Sequence, residues 1–386
     1  MTRGIPGFVG GRLRIARELR GVTTASALAD MIGVSRQAVS LYENDRSSPT
    51  EVQLERIART LDMPISFFLL RIPDSEGSQP FFRSLSSSVA ADRARAGSLH
   101  VILSDITRFL LEYVEMPLPS IPKLPVIGTF RNWSIDQIEI AAEAVRKWLG
   151  VNSGPLPNLL NLLEHQGFAV GRERLADREL DGLSSWLDGR PYILLHSGKS
   201  AARSRLDLAH ELGHLILHRG VDRAAIEDRK TFQLLEKQAF RFGSALLLPS
   251  EEFSNDLYRC TPDEFVALKP RWQVSAAAMV FRATDLGILS GDQATSMWRR
   301  FQRSGWKVRE PLEDVVAQEV PTLLKSAAVL LRDSGYMGGP EIIERACVPK
   351  SEFLSLTGLP ADFAERPEQS RIVQLRSLRT KLAQDD

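Results

Sequence analysis

The stretch RSRLDLAHELGHLILHRG, residues 203–220, decides how the chain is read. Leu206, Leu208, Leu212, Leu215, Ile216 and Leu217 give it the apolar surface of a buried helix, and Gly220 supplies a C-terminal stop. Inside it stands His210-Glu211-Leu212-Gly213-His214, a His-Glu-x-x-His pattern. Positions 210 and 214 are one helical turn apart on the same face, so two imidazoles can bind one tetrahedral Zn2+ at about 2.0–2.1 Å. Glu211 lies beside them and can take a proton from water that such a metal activates at neutral pH. Burying two histidines and a glutamate in an apolar helix without partners would cost several kcal/mol. A metal centre explains their presence better than chance.

A hydrolytic zinc site needs a third protein ligand and an open position. Glu236, in LLEKQAFRFGSALLLP (234–249), is the choice, because a helix–turn–helix can bring its carboxylate back over the first helix. Glu227 and Asp228 compete, but they precede that helix in a polar stretch that reads as solvated. His218 continues the i, i+4 series, yet ~12 Å of helix rise separates it from His210. It reads as a partner of a ligand or as a structural residue. His100, His165 and His196 stand alone and read as structural or solvated, with His196 closing the strand ahead of the metal helix.

Bulk properties set the frame. A chain of 386 residues has room for two or three domains, and 43% hydrophobic with 25% charged residues is an ordinary globular balance. No apolar run approaches the ~18–20 residues that span a bilayer. The start, MTRGIPGFVGGRLRIARELR, has neither the apolar core nor the cleavage pattern of a secretory signal. Cys260 and Cys347 are far apart and form no CxxC, which fits a reducing cytoplasm and leaves them out of the metal site. A net charge of +1 argues against a whole-molecule grip on nucleic acid and leaves a local one open.

The expected fold class is α+β and mostly helical. An all-α head (8–71) leads through a connector (72–133) to a metal domain with a small sheet (134–311) and a helical C-terminal region (312–386). IPDSEGSQP (72–80) reads as a linker, and the four prolines of PLPSIPKLPVIG (117–128) exclude a helix there. The one clear β region is 167–197, where FAV, LSSWL and PYILLH are short apolar runs and Asp188-Gly189 signals a hairpin. Apolar periodicity predicts helices over 201–219, 231–248, and within 320–335 and 351–359. The tail RIVQLRSLRTKLAQDD is basic and polar; it packs, binds a partner or senses a signal.

In the head, Ala29, Gly33, Val34 and Val39 stand at helix-turn-helix spacings. Thr24 or Ser26, then Ser35, can cap successive helices, and Leu54, Ile57, Ala58 and Leu61 form the next core stripe. The helix beginning at Ser35 would enter the major groove, presenting Arg36, Gln37 and Ser40 to bases or phosphate. Residues 1–70 hold nine arginines against seven acids, a modest +2, so binding points to a homodimer. A head used only for protein contacts is the other reading.

With Tyr42-Glu43-Asn44 and SSPT (47–50), the head resembles the Xre/phage-repressor family. Residues 155–311 resemble the ImmA/IrrE metallopeptidases. The resemblance rests on Ser185-Trp186, Gly189-Arg190-Pro191, the Arg203/Arg205 pair before AHELGHLILH, Glu236-x-x-Ala239-x-x-Phe242 and Leu246-Leu247-Leu248-Pro249. WQVSAAAMVFRATDLGILS (272–290) and GWKVREP (305–311) extend it. It implies a gluzincin-like site with His210, His214 and Glu236 as zinc ligands and Glu211 as general base. The chain departs from the usual pattern at Phe240, often small and polar, and at Gly243, often alanine. Peptidases of this architecture hold an extended substrate beside an edge strand. Leu183–Leu187 is the candidate, with an ordinary inner hairpin strand as the alternative. PFFRSLSSS (80–88) and the segment to 128 resemble a connector, read as a spacer, a dimerisation helix or a passive linker. Together the resemblances imply a cytoplasmic regulator that binds double-stranded DNA, stays off membranes and cleaves a protein such as a repressor. Stress response, mobile-element control and phage defence are the settings implied. The alternative is a repressor or antitoxin-like protein whose metallopeptidase fold binds a toxin or repressor partner with little hydrolysis.

Overall fold

The computed structural model describes residues 4–75, 81–82, 90–125, 129–175, 181–306 and 308–365. The head is built from α1 (Gly10–Leu19), α2 (Ala25–Ile32), α3 (Arg36–Glu43) and α4 (Glu51–Thr60). Each start after α1 has its cap: Thr24 Oγ1 accepts from the Ala27 N–H, Ser35 Oγ from Ala38, and Thr50 forms a reciprocal box with Gln53. Thr24, not Ser26, therefore caps α2. Gly33 ends that helix at φ +69, a left-handed turn that glycine adopts without penalty. Ala29, Val39, Leu54, Ile57 and Leu61 are buried, as their spacing predicts.

The connector reading changes most. Helix α5 (Ala90–Leu111) lies at the centre of the molecule, against α1, the sheet and the C-terminal helices. Ala96, Leu99, Ile102, Leu103, Ile106 and Leu110 are all fully buried, and so are His100 and Thr107 on its other faces. The pattern over 86–115 reads as helical, and the spacer or dimerisation role came from the resemblance to a connector; a helix buried nearly all round shows no single apolar stripe to mark its central place. Its tie to the head is Arg12, fully buried, whose guanidinium forks onto the Asp105 carboxylate and also donates to Leu70 O at 3.1 Å.

The sheet joins β1 (Phe81–Phe82), which precedes α5, to the three strands that follow α6 (Ile135–Trp148) and α7 (Leu159–His165), namely β2 (Ala169–Glu173), β3 (Gly182–Leu187) and β4 (Arg190–His196), in the order β1-β3-β4-β2. β2 and β4 are parallel; β4–β3 and β3–β1 are antiparallel. The Asp188-Gly189 hairpin is present, with φ +48 and +76 at its two turn residues. β1 is not foreshadowed, since two residues carry no alternation. It pairs Phe81 with Ser184 and Phe82 with Leu183, while Ser75 bridges Leu187. The candidate substrate edge, Leu183–Leu187, is therefore an inner strand.

Alternate residues of the sheet face two cores. Leu183, Leu187, Tyr192 and Leu194 join the core of α5 and the head, with α15 (Leu323–Asp333), α16 (Gly339–Arg345) and α17 (Lys350–Thr357). Trp186, Ile193 and Leu195 face the core of α6, α7, α8 (Ala201–Leu217) and α10 (Arg229–Leu247), with α11 (Ser250–Asn255), α12 (Pro262–Trp272), α13 (Ala276–Asp285) and α14 (Gly291–Arg303) beyond, while α9 (Arg223–Glu227) packs in a separate small cluster with Val221 and Leu235. The fold is α+β and mostly helical, as predicted. The basic tail at 371–386 lies outside the described residues.

Candidate metal centre

The centre is made where α8 and α10 cross. A Cβ on Gly243 would lie 2.9 Å from His210 N, and one on Gly213 would lie 3.0 Å from Ala239 O. Only glycine lets the two backbones come this close. The approach brings Glu236, on α10, to the histidines of α8.

His210 Nε2 and His214 Nε2 are 3.0 Å apart. Glu236 Oε2 lies 3.5 Å from the first and Oε1 lies 3.2 Å from the second. One ligand atom from each of the three falls within 4.8 Å of the others. His214 is buried; His210 and Glu236 are partly exposed and open the cluster to a cleft. Burial works against the Glu236 charge, but the two imidazoles outweigh it and hold the carboxyl well below its usual range. Even so, Glu236 Oε1 is buried without an aligned hydrogen bond. Two imidazoles and an anionic oxygen with unmet valence are the donor set of a divalent transition metal. The residues fit such an ion.

Glu211 faces the sheet and is buried. Ser184 Oγ donates to its Oε2 at 2.7 Å. Burial pushes the carboxyl up to about 7, against the pull of His210 and of the Ser184 hydroxyl. Gly182, two residues before Ser184 on β3, leaves room for that carboxylate: a Cβ there would lie 3.2 Å from Oε1. Trp186 continues the same face and donates Nε1–H to Leu215 O at 3.2 Å, fastening α8 to the sheet.

His218 is outside the cluster. It is fully buried, with its Nδ1 3.0 Å from His214 Nδ1 and its Nε2 2.9 Å from Gln238 Oε1. Asp228 caps α10 through Thr231, and Glu227 borders a separate cavity with Ile226 and Phe232, so neither competes with Glu236. His100 bonds Ser185, His165 bonds Asn161 O, and His196 Nδ1 accepts from Leu175 N–H; none of the three belongs to the cluster. Sequence reasoning missed Ser184 and Gln238. A polar residue at 184, on the strand face that packs against an apolar helix, was the available signal for the first. For the second there was none.

The cleft over His210 and Glu236 encloses 630 Å³, lined also by Lys237, Phe240, Arg241, Phe281 and Asp285. Phe240 meets Phe281 edge-on at 4.5 Å between ring centres, forming an aromatic wall beside the cluster. Arg241 and Asp285 pair with each other at its rim. A smaller recess of 320 Å³ on the other side of Phe240 is lined by Asp181, Lys199, Arg203, Leu206 and Asp207. His210 and Phe240 line both cavities.

Residues 163–284 match the M78 peptidase family model, described as the IrrE N-terminal-like domain. Residues 13–68 match the helix-turn-helix model. The chain joins a helix-turn-helix domain to an IrrE N-terminal-like domain. No curated protein matches it. The IrrE-like match spans β2, the hairpin, α8 and α10, and so contains the whole His210–His214–Glu236 cluster. In the helix-turn-helix domain, Arg36, Gln37 and Ser40 are exposed on α3. Among the described residues no helix is long and apolar enough to cross a membrane.

Proposed function

We propose that the chain is a DNA-binding regulator with a zinc-dependent, gluzincin-like endopeptidase centre that cuts a regulatory protein such as a repressor. The observation that carries this reading is the convergence of His210, His214 and Glu236, with the buried carboxylate of Glu211 close enough to feel their charges. A bound zinc ion supplies Lewis-acid activation of water and of the scissile carbonyl. Glu211 takes the proton released by the attacking water and passes it to the leaving amine. Ser184 holds Glu211 in place for both transfers. The Phe240–Phe281 wall receives a large apolar side chain beside the scissile bond, because that part of the cleft offers aromatic surface. On the head, Arg36, Gln37 and Ser40 read the major groove, and the modest local charge calls for a homodimer. Stress response, mobile-element control and phage defence are the settings this pairing suits.

A second reading is a repressor or antitoxin-like protein whose peptidase fold binds a partner without cutting it. One observation favours it: β1 covers the strand on which an extended substrate would pair. The same experiment separates the two. Zinc-loaded wild-type protein and Glu211→Gln are incubated with a peptide library, and cut sites are read by mass spectrometry. The wild type should cut next to large apolar residues. The variant should keep its zinc and lose on the order of 10²–10⁴ in rate. No cutting by the wild type, or equal cutting by the variant, rejects the peptidase.

A further inference from the structure

β3 is the strand that touches Glu211, and three of its residues meet the metal helix in turn. A Cβ on Gly182 would lie 3.2 Å from Glu211 Oε1, Ser184 Oγ donates to Glu211 Oε2 at 2.7 Å, and Trp186 Nε1 donates to Leu215 O at 3.2 Å. β3 therefore runs alongside the stretch of α8 from Glu211 to Leu215, which contains His214. Extended peptides bind by adding a strand to a sheet edge, and backbone hydrogen bonds supply the affinity. One edge of β3 is taken by β4, and the other is taken by the chain's own connector. Phe81 pairs with Ser184, Phe82 pairs with Leu183, and Ser75 bridges Leu187, all antiparallel.

This cover is anchored firmly at the hairpin tip and paired sparsely further along. At the tip, Arg71 forks onto Asp188 at 2.7 and 3.0 Å, Asp74 N–H donates to Asp188 Oδ1 at 2.9 Å, and Asp188 N–H donates to Asp74 O at 2.9 Å. Arg71 O accepts from Arg12 of α1, so the anchor is continuous with the head. β1 itself is two residues long beside the six of β3. A segment that pairs along all of β3 makes more backbone hydrogen bonds than β1 does. In favour of β1 stands its attachment, since a tethered strand competes at an effective concentration on the order of mM.

We propose that β1 is an internal competitor: it occupies the edge of β3 on which an extended substrate pairs, and the substrate enters by displacing it. The peptidase is held back while β1 is in register, and cutting rises when β1 leaves. The substrate is then an unfolded or extended segment, because only a chain with free backbone N–H and C=O groups can replace a strand. The proposal rests on the peptidase reading.

The test uses the full chain in two arms. The first is metal-free and reads binding. Phe81→Pro with Phe82→Pro removes both backbone donors of β1 and with them its ladder. A fluorescent peptide with the sequence of residues 73–84, PDSEGSQPFFRS, is titrated by anisotropy against wild type and variant. The variant should bind it about tenfold or more tightly, because the attached strand no longer competes. Equal affinity in a folded variant overturns the proposal. The second arm is zinc-loaded and reads cutting of the peptide library. The proline variant should cut about tenfold or more faster than the wild type, at the same sites. Phe82→Cys with Leu183→Cys sets two cysteines opposite each other in an antiparallel pair, within reach of a disulfide. Its oxidised form should cut more slowly than its own reduced form. Tighter peptide binding without faster cutting overturns the inhibitory role, as does equal cutting by the oxidised and reduced forms. No cutting by any form rejects the peptidase reading and the inhibition with it, while the binding arm, which needs no metal, still reports whether β1 exchanges. Where the proline variant does not fold, the two forms of the cysteine variant decide.

Discussion

At the scale of the residue, the same side-chain type does different work according to what surrounds it. Glu211 and Glu236 are both largely buried, but the second faces two imidazoles and the first faces a serine hydroxyl and the apolar sheet. Their carboxyls are driven in opposite directions, Glu236 down and Glu211 up to about 7. His100 shows burial acting alone. It lies between α5 and β3, with Nε2 2.8 Å from Ser185 Oγ and Nδ1 without a hydrogen-bond partner. Burial lowers its pKa from 6.5 to about 3. The unfolded chain therefore binds more protons between those two values. Stability is fully present above pH 6.5 and is lost as pH falls towards 3. Between about pH 6.5 and about pH 5 this one residue should remove up to about 2 kcal/mol. Urea unfolding of metal-free protein across that window should show a shallower loss for His100→Gln than for the wild type. Parallel curves would contradict the assignment.

At the scale of the element, α8 and α10 are each legible from their 3.6-residue period, and their crossing is not. The period reports which side of a helix is apolar. It does not report how closely two backbones approach. Here Gly213 and Gly243 set that distance, and Gly243, read in sequence as a departure from a more usual alanine, touches the backbone of Ala209 and His210. Gly243→Ala should push α10 away from α8, at a cost of about 1–3 kcal/mol. It should also weaken zinc binding, because Glu236 rides on the displaced helix. Thermal unfolding and chelator competition check both effects; an alanine variant with unchanged zinc affinity would show that α10 can shift without moving Glu236. The sheet makes the same point. The β3–β4 hairpin was readable from Asp188-Gly189, whereas β1 borrows its pairing from β3 and was not.

At the scale of the whole molecule, α5 ties the helix-turn-helix head to the sheet of the IrrE-like domain. Arg12 of α1 is buried against Asp105 of α5, while Arg20, just past the end of α1, donates to Glu352 of α17 at 2.5 Å. Cations that appeared in sequence as part of a DNA-binding charge are thus spent inside the protein. Removing one partner of a buried pair leaves the other charge exposed to apolar surroundings. Asp105→Ala should destabilise the chain by about 3–5 kcal/mol, read as a lower urea midpoint. Asp105→Asn, which keeps hydrogen-bond acceptance, should lose less. A change near zero for Asp105→Ala would mean that Arg12 finds enough compensation in Leu70 O and Arg71 O.

The sequence by itself determined the chemistry-bearing helix. His210, Glu211 and His214 are fixed relative to one another by helical spacing, which is local and needs no partner. It also determined the capped helices of the head and the β3–β4 turn, since caps and turns are written in adjacent residues. The tertiary structure alone decided what those residues meet. It set the glycine contact that carries Glu236, already chosen from the sequence, to the histidines, set Ser184 against Glu211, and placed Gln238 behind His218. It turned an apparent spacer into the central helix. Each of these depends on residues distant in the chain, and no period or motif encodes a distance between two elements. The HELGH helix and its third partner Glu236 were therefore readable in advance, and the contacts of Ser184 and Gln238 around them were not.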